Sequence, residues 1–237
     1  MAVAVLIDLD DTLFDHRASA RRALQAAAAA DPALGRCAFE ALETRHRAIL
    51  EDLHRRVLDG GMTVDEARAL RFRTLVAEQG EACDDARLDR LTSAYRGAYQ
   101  SEWACLAGAR ELLAELRARG ARIAIVTNNI VSEQVNKLRR LELEALVDAL
   151  VVSEAVGASK PDPRIFTHAL GAVGARAHEA VMLGDNWKAD VEGALAVGIR
   201  GVWFNPRGLP RPADIDGVDD LQSPEPAPEA ANVLTGR

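Results

Sequence analysis

Four clusters of reactive side chains punctuate this sequence: Asp8-Leu-Asp-Asp-Thr12, Thr127-Asn-Asn129, Lys160-Pro-Asp-Pro163 and Gly184-Asp-Asn-Trp-Lys-Ala-Asp190. The first, second and fourth directly follow apolar runs, and Lys160 follows a strand-like run and Gly157. In an open parallel sheet the carboxyl ends of the strands converge on one crevice, so residues far apart in sequence reach contact distance there. Carboxylates gathered in that way repel one another unless a hard divalent cation neutralises them. An all-oxygen, acid-rich set suits Mg²⁺ better than zinc. A Mg²⁺ site is therefore expected where three or four of the carboxylates of these clusters, Asp8, Asp10, Asp185 and Asp190, come together.

Asp8 and Asp10 are spaced so that both can address one pocket where the strand ends and curls. One can attack phosphorus while the other manages a proton. An aspartate nucleophile splits a difficult phosphoryl transfer into two easier steps, and the second carboxyl protonates the departing alkoxide and later deprotonates water. Uncatalysed hydrolysis of phosphate monoesters is so slow that accelerations up to roughly 10²¹-fold are needed. Thr127 and Lys160 supply a hydroxyl and an ammonium for the nonbridging phosphoryl oxygens, and Lys160 should also hold Asp8 in place. The expected catalytic set is Asp8, Asp10, Thr127 and Lys160. Substrate contacts are expected from Thr127, Asn128 and Lys160, and from His16 and Arg17 just beyond the first cluster.

The elements that must position these groups show as changes of period. Ala2 to Ile7 form a continuous apolar run, as in a strand buried on both faces of a parallel sheet. From Asp15 to about Cys105 the spacing turns helical, as in Leu42, His46, Ile49, Leu53 and Val57, and later Leu88, Leu91 and Tyr95. Asp31-Pro32 and Gly60-Gly61 interrupt that series, and Thr63 with Glu66 makes a capping box. The stretch reads as four helices and no strand. Strands at 122–127, 149–152, 180–183 and 201–204 then alternate with helices at 109–116, 131–141, 165–170 and 189–197. This alternation predicts an α/β fold, a doubly wound parallel-sheet core of residues 1–14 and 106–205, with an all-helical domain, 15–105, inserted after the first strand. The Pro- and acid-rich segment 206–237 has little periodicity beyond a short edge element at Ile215. It is expected to be partly mobile.

With 237 residues, 49% apolar and 27% charged, the composition is that of a globular protein. A net charge of -7 gives no general attraction for nucleic acid or anionic lipid. No apolar stretch approaches the ~20 residues needed to cross a bilayer, and Asp8, Asp10 and Asp11 interrupt any secretory core. The expected setting is cytoplasmic, as a monomer or homodimer, with a small phosphorylated metabolite as partner and neither nucleic acid nor membrane. Cys37, Cys83 and Cys105 lack paired spacing and read as reduced, mostly buried thiols. Only three basic residues are lysines, Lys137, Lys160 and Lys188; Lys188 reads as a solvated residue in a first helical turn.

The four clusters, in this order, resemble the haloacid dehalogenase (HAD) superfamily of phosphatases, over roughly residues 3–205. The resemblance implies Asp8 as nucleophile, Asp10 as acid/base reaching the metal through its backbone carbonyl, Thr127 and Lys160 as phosphate and nucleophile anchors, and Asp185 as a further metal carboxylate. Asp190 resembles the second acid of the fourth motif, ranked below Asp185, with Asn186 assisting. The insert resembles the superfamily's cap domain, which carries substrate selectivity, and Arg71 is its favoured arginine for that task. The chain departs from the pattern at Asp11, where glycine is common, and at Asn129, which replaces a glycine and tolerates left-handed backbone. The opening motif, Gly-Asp-Asn and Arg71-Phe72 resemble the branch of pyrimidine nucleotidases and N-acylneuraminate-9-phosphatases. The resemblance thus implies Mg²⁺-dependent hydrolysis of a nucleoside monophosphate or sugar phosphate. A phosphate-binding or phosphotransfer module without efficient turnover, and a sugar phosphomutase, are the alternatives. The mutase is disfavoured because Ala20 stands where such enzymes carry a histidine. The full acidic set argues against dehalogenation, and an insert without lysine argues against phosphonate hydrolysis through a Schiff base.

Overall fold

A computed structural model describes residues 4–58, 60–212 and 215–236. Ala2 and Val3 of the first expected strand lie outside them, as do Ala213, Asp214 and Arg237 of the C-terminal segment. The remainder of that strand, β1 (Ala4–Ile7), is buried at every position. The chain forms two compact units, Met1–Asp15 with Ala104–Arg237, and His16–Trp103.

The second unit is helical, made of α1 (His16–Ala29), α2 (Pro32–Gly35), α3 (Phe39–Leu58), α4 (Val64–Ala77) and α5 (Asp85–Ser101). It has one helical segment more than the sequence predicts, because Asp31-Pro32 nucleates a turn as well as interrupting the series. The Asp31 carboxylate accepts from the Ala33 and Leu34 amides, and Pro32 occupies the first helical position, where its missing N–H costs nothing. Arg87 of α5 clamps the same carboxylate through Nε and Nη2, at 2.6 and 2.7 Å. The capping box of Thr63 and Glu66 opens α4. Leu24, Leu34, Ile49, Phe72, Leu75 and Leu91 are among the residues that fill the core of this unit.

The first unit continues with α6 (Ala109–Ala118), β2 (Arg122–Thr127), α7 (Val131–Arg140), β3 (Ala149–Val152), α8 (Ser153–Val156), α9 (Pro163–Val173) and β4 (Ala180–Gly184). A π-helical segment, Trp187–Glu192, then runs into α10 (Gly193–Leu195), where the sequence predicts one continuous helix. β5 (Arg200–Phe204), β6 (Asp219–Leu221) and α11 (Ala227–Thr235) follow. All six strands are parallel, in the order β3-β2-β1-β4-β5-β6. Ala4, Leu6, Ala124, Val126 and Met182 pack with Ile165, Phe166 and Ala169 of α9. The alternate residues Val5, Ile7, Ile123, Ile125, Val181 and Leu183 are equally buried, so β1, β2 and β4 are covered on both faces, as expected of a doubly wound sheet.

The C-terminal segment carries more structure than its lack of periodicity suggests: 219–221 adds the edge strand, and 227–235 is a helix packed on α6. Ile215 lies outside the strand and packs near Trp187 and Trp203. Arg200 fastens the edge by donating to Asp219 at 2.7 Å and to the Val233 and Leu234 carbonyls near the end of α11, at 2.7 and 2.6 Å. The three cysteines are free and half-buried rather than mostly buried. Among the described residues no helix is long and apolar enough to cross a membrane.

Candidate active site

The middle of the sheet supplies the site. β1 lies between β2 and β4, and its ladder runs one residue past the strand, where the Asp8 amide donates to the Leu183 carbonyl at 2.9 Å. Thr127 closes β2 and Gly184 closes β4, so the ends of three neighbouring strands stand side by side. The chain builds β2 and β3 on one side of β1 and then returns to the other for β4, the switch point where open parallel sheets form a crevice.

Beyond Asp8 the backbone curls tightly: the Leu13 and Phe14 amides both donate to the Leu9 carbonyl, at 3.0 and 2.9 Å. Asp11 takes up the bend with φ 64°. That left-handed conformation favours glycine and is tolerated by Asp. Asn129 does not share it. The described non-glycine residues with positive φ are Asp11 and Glu142, and the Asn129 side chain instead accepts from the Ile130 amide at 2.8 Å.

Lys160 is the hub. Its ammonium lies 2.6 Å from Asp8 Oδ1 and 2.7 Å from Asp190 Oδ1, and donates to the Val126 carbonyl at 2.6 Å. The ammonium thus makes two hydrogen bonds, to Asp8 and the Val126 carbonyl, and an ion-pair contact with Asp190, whose Oδ1 has no hydrogen-bond partner among the described residues. Burial pushes Lys160 down, but the charges of Asp190 and Asp8 outweigh it and the net shift is upward; the side chain is charged. Asp8 moves the other way from an ordinary carboxylate. Burial raises it, Lys160 lowers it, and the Asp190 and Asp185 charges raise it again, leaving it well above the usual range. Asn128 fastens this lysine by its main chain, accepting from the Lys160 amide at 2.8 Å and donating to its carbonyl at 2.9 Å.

Asp10 has a separate set of partners. Lys137 Nζ lies 2.6 Å from Asp10 Oδ1, and Gln134 Nε2 donates to Oδ2 at 2.9 Å. The same Gln134 amide reaches Thr127 Oγ1 at 2.6 Å. Both residues sit on α7 and are fully buried. Burial pushes Lys137 down, and the Asp10 and Glu133 charges raise it overall. Gln134 and Lys137 are site residues not expected from the sequence. The available signals were the scarcity of lysine and the i, i+3 spacing that puts both on one face of a helix directly after the second cluster. Thr12 is a further connection, donating to Asp8 Oδ2 at 3.4 Å and accepting from the Asp185 amide at 3.1 Å.

Asp8, Asp185 and Asp190 each offer an oxygen within 4.8 Å of the others. Three carboxylates around a single ammonium leave excess negative charge, and the donors are all hard oxygens, so the set fits Mg²⁺. Asp190 is held from both sides. One oxygen meets Lys160 and the other accepts from the Asn186 amide at 3.0 Å. Gly184 makes room for it, since a Cβ there would lie 2.2 Å from Asp190 Oδ2. The Asn186 side chain caps the π-helical segment by accepting from the Ala189 amide, and Lys188 is exposed. His16 and Arg17 begin the helical unit. Arg17 is exposed, and His16 Nδ1 is 2.9 Å from the Tyr99 hydroxyl.

A doubly wound sheet with an aspartate, lysine and threonine at adjoining strand ends and a further acid pair beside them is the architecture of a phosphoric monoester hydrolase. The chain belongs to the haloacid dehalogenase-like hydrolase family, whose model matches residues 3–198. It is 37% identical over 212 residues to a ribulose-1,5-bisphosphate 5-phosphatase of Halopiger xanaduensis, spanning 87% of this chain and 86% of that one. It is 34% identical over 127 residues to the pyrimidine 5'-nucleotidase YjjG of Escherichia coli, covering 53% of this chain and 56% of that one. Its fold matches the crystal structure of the putative HAD-hydrolase YfnB of Bacillus subtilis bound to magnesium, with a TM-score of 0.77, 26% identity and 98% of each chain covered.

Proposed function

We propose that the protein hydrolyses a small phosphate monoester in two steps through a phosphoaspartate on Asp8, with Mg²⁺ as cofactor. The arrangement that carries this proposal is Asp8 at the end of β1, held 2.6 Å from Lys160 beside Asp185 and Asp190. An Asp8 oxygen forms a bond to phosphorus as the ester P–O bond breaks, and Asp10 gives its proton to the departing alkoxide. Water then attacks the phosphoaspartate, Asp10 takes the proton, and inorganic phosphate leaves with Asp8 regenerated. Lys160 acts chiefly on the nucleophile, since it hydrogen-bonds Asp8 and the Val126 carbonyl and pairs with Asp190. Thr127 offers its hydroxyl to the phosphoryl oxygens, and Asn128 serves by fixing the Lys160 main chain.

Asp8 and Asp185 would hold the Mg²⁺ together with the Asp10 carbonyl, and Asp190 would orient the set through Lys160. When bound, the ion neutralises charge on the transferring phosphoryl group. Among substrates a sugar phosphate stands first, because the relative named for a sugar bisphosphate matches nearly the whole chain, whereas the nucleotidase matches about half. The test is a panel of sugar phosphates, nucleotides and phosphonates, with and without Mg²⁺, with Asp8→Asn as control. Turnover undiminished in Asp8→Asn, or indifferent to removal of Mg²⁺, would refute the assignment. Ligand binding without turnover by the unaltered protein would favour a binding module of the same fold.

A further inference from the structure

Among the described residues of the helical unit, one buried cation has no ion-pair partner. Arg71 of α4 is 6% exposed. Its guanidinium carbon lies 4.3 Å from the centre of the Tyr95 ring and 4.9 Å from that of Phe72. Nε is buried without a hydrogen-bond partner, the guanidinium hydrogen-bonds Tyr95, and the groups that act on it most strongly are Tyr95, Arg68 and Tyr99, none of them a carboxylate. Arg87 in the same unit shows the ordinary solution, meeting Asp31 and Glu81.

A second donor stands close by. His46 of α3 is 3% exposed, its ring is centred 5.4 Å from that of Tyr95, and its Nε2 is buried without a partner. Burial, helped by the Arg71 and His16 charges, lowers His46 to about 3, so its ring is neutral near pH 7. Tyr95 stacks on Tyr99, whose hydroxyl meets His16 Nδ1 at 2.9 Å. Phe72 of α4 and Tyr95 of α5 thus present aromatic faces to the guanidinium, His46 of α3 packs on the same Tyr95, and among the described residues no acid is paired with Arg71.

A guanidinium does not release its proton at any ordinary pH. Cation–π contacts with Tyr95 and Phe72 offset part of its desolvation, but an uncompensated buried charge remains unfavourable. An oxyanion would remove that imbalance, because the planar fork of Arg donates two parallel hydrogen bonds to a phosphate or carboxylate. We propose that Arg71, with His46 donating from Nε2, forms an oxyanion-binding site within the helical unit. Its ligand is a phosphate or carboxylate group, supplied either as the non-reacting anionic group of a phosphate ester or as a free anion.

The test follows the His46 ring protons by NMR in the full-length protein, assigned with His46→Gln, during titration with sulfate and with inorganic phosphate at constant ionic strength. A saturable shift at His46 that weakens roughly tenfold to a hundredfold in Arg71→Met, and partly returns in Arg71→Lys, is the expected result. No saturable shift in the unaltered protein overturns the proposal even if Arg71→Met fails to fold, and so does an identical titration in a folded Arg71→Met.

The source is read from kcat/KM on 3-phosphoglycerate and on glycerol 3-phosphate. Selective loss on the first in Arg71→Met identifies the ester's second anionic group as occupant. Equal changes on both, with the NMR shift present in the unaltered protein, identify a free anion. If neither ester nor any other is hydrolysed, the phosphatase proposal fails while the NMR titration still decides the site.

Discussion

The Lys160 ammonium stands 2.6 Å from Asp8 Oδ1, and both side chains are buried. The same ammonium lies 2.7 Å from Asp190 Oδ1. Lys160→Met therefore strands two carboxylates in a poorly solvated site. Breaking a buried pair by removing one partner costs about 3–5 kcal/mol. Urea unfolding should show a loss of that order in the metal-free protein, and a smaller loss when Mg²⁺ is present to take over part of the compensation. Turnover should fall at least ~10³-fold. Stability unchanged in both conditions would contradict the geometry.

Gln134 joins Asp10 to Thr127 while Lys137 holds the other Asp10 oxygen. If Asp10 gives a proton to the departing group, disturbing its holders should matter most for poor leaving groups. Lys137→Met should reduce kcat/KM for alkyl phosphates by roughly 10²-fold, within the range of general acid–base catalysis. The loss on p-nitrophenyl phosphate should be clearly smaller, because that leaving group departs without protonation. Gln134→Leu should act in the same direction more weakly. Equal losses on both substrates would make the two residues structural supports only.

The four reactive clusters were legible because acid, hydroxyl and amine side chains directly after apolar runs have few structural uses, and the parallel-sheet argument brings such strand ends together. Asp8, Thr127, Lys160, Asp185 and Asp190 are accordingly found about the three neighbouring strand ends. Gln134 and Lys137 stayed hidden because a helix face alternating polar and apolar residues reads equally well as solvated, and burial is not written in the pattern. The C-terminal elements were hidden for another reason. β6 has one buried residue, Leu221, and α11 buries Ala230, Ala231, Leu234 and Thr235, too little apolar contrast to stand out from a Pro- and acid-rich background. The extra helix α2 depends on the Asp31 cap and the Arg87 clamp, a contact between residues distant in sequence.

Gly184 is held to glycine by the acid beside it. A Cβ at this position would lie 2.2 Å from Asp190 Oδ2 and 2.3 Å from its carboxyl carbon. In Gly184→Ala the carboxylate must move, and its contacts with Lys160 and the Asn186 amide move with it. Overpacking of this kind typically costs about 1–3 kcal/mol. The expected phenotype is a lowered melting temperature together with a higher Mg²⁺ concentration for half-maximal activity. A variant with normal metal activation would show that Asp190 does not help to arrange the metal residues.

His46 sets a pH dependence of stability for the helical unit. Its value of about 3 in the folded protein lies below the ordinary histidine value of about 6.5. Between those limits the unfolded chain binds a proton that the folded chain refuses, so stability falls as pH drops through that window. One such group contributes at most about 1.4 kcal/mol per pH unit. Urea unfolding of the intact protein at about pH 7 and about pH 5 should show a loss on acidification that is reduced in His46→Gln. The slope should also flatten in sulfate if an oxyanion occupies the neighbouring Arg71, because its negative charge favours the protonated ring. Equal acid sensitivity in His46→Gln and the unaltered protein would show that His46 does not set the pH dependence in this window.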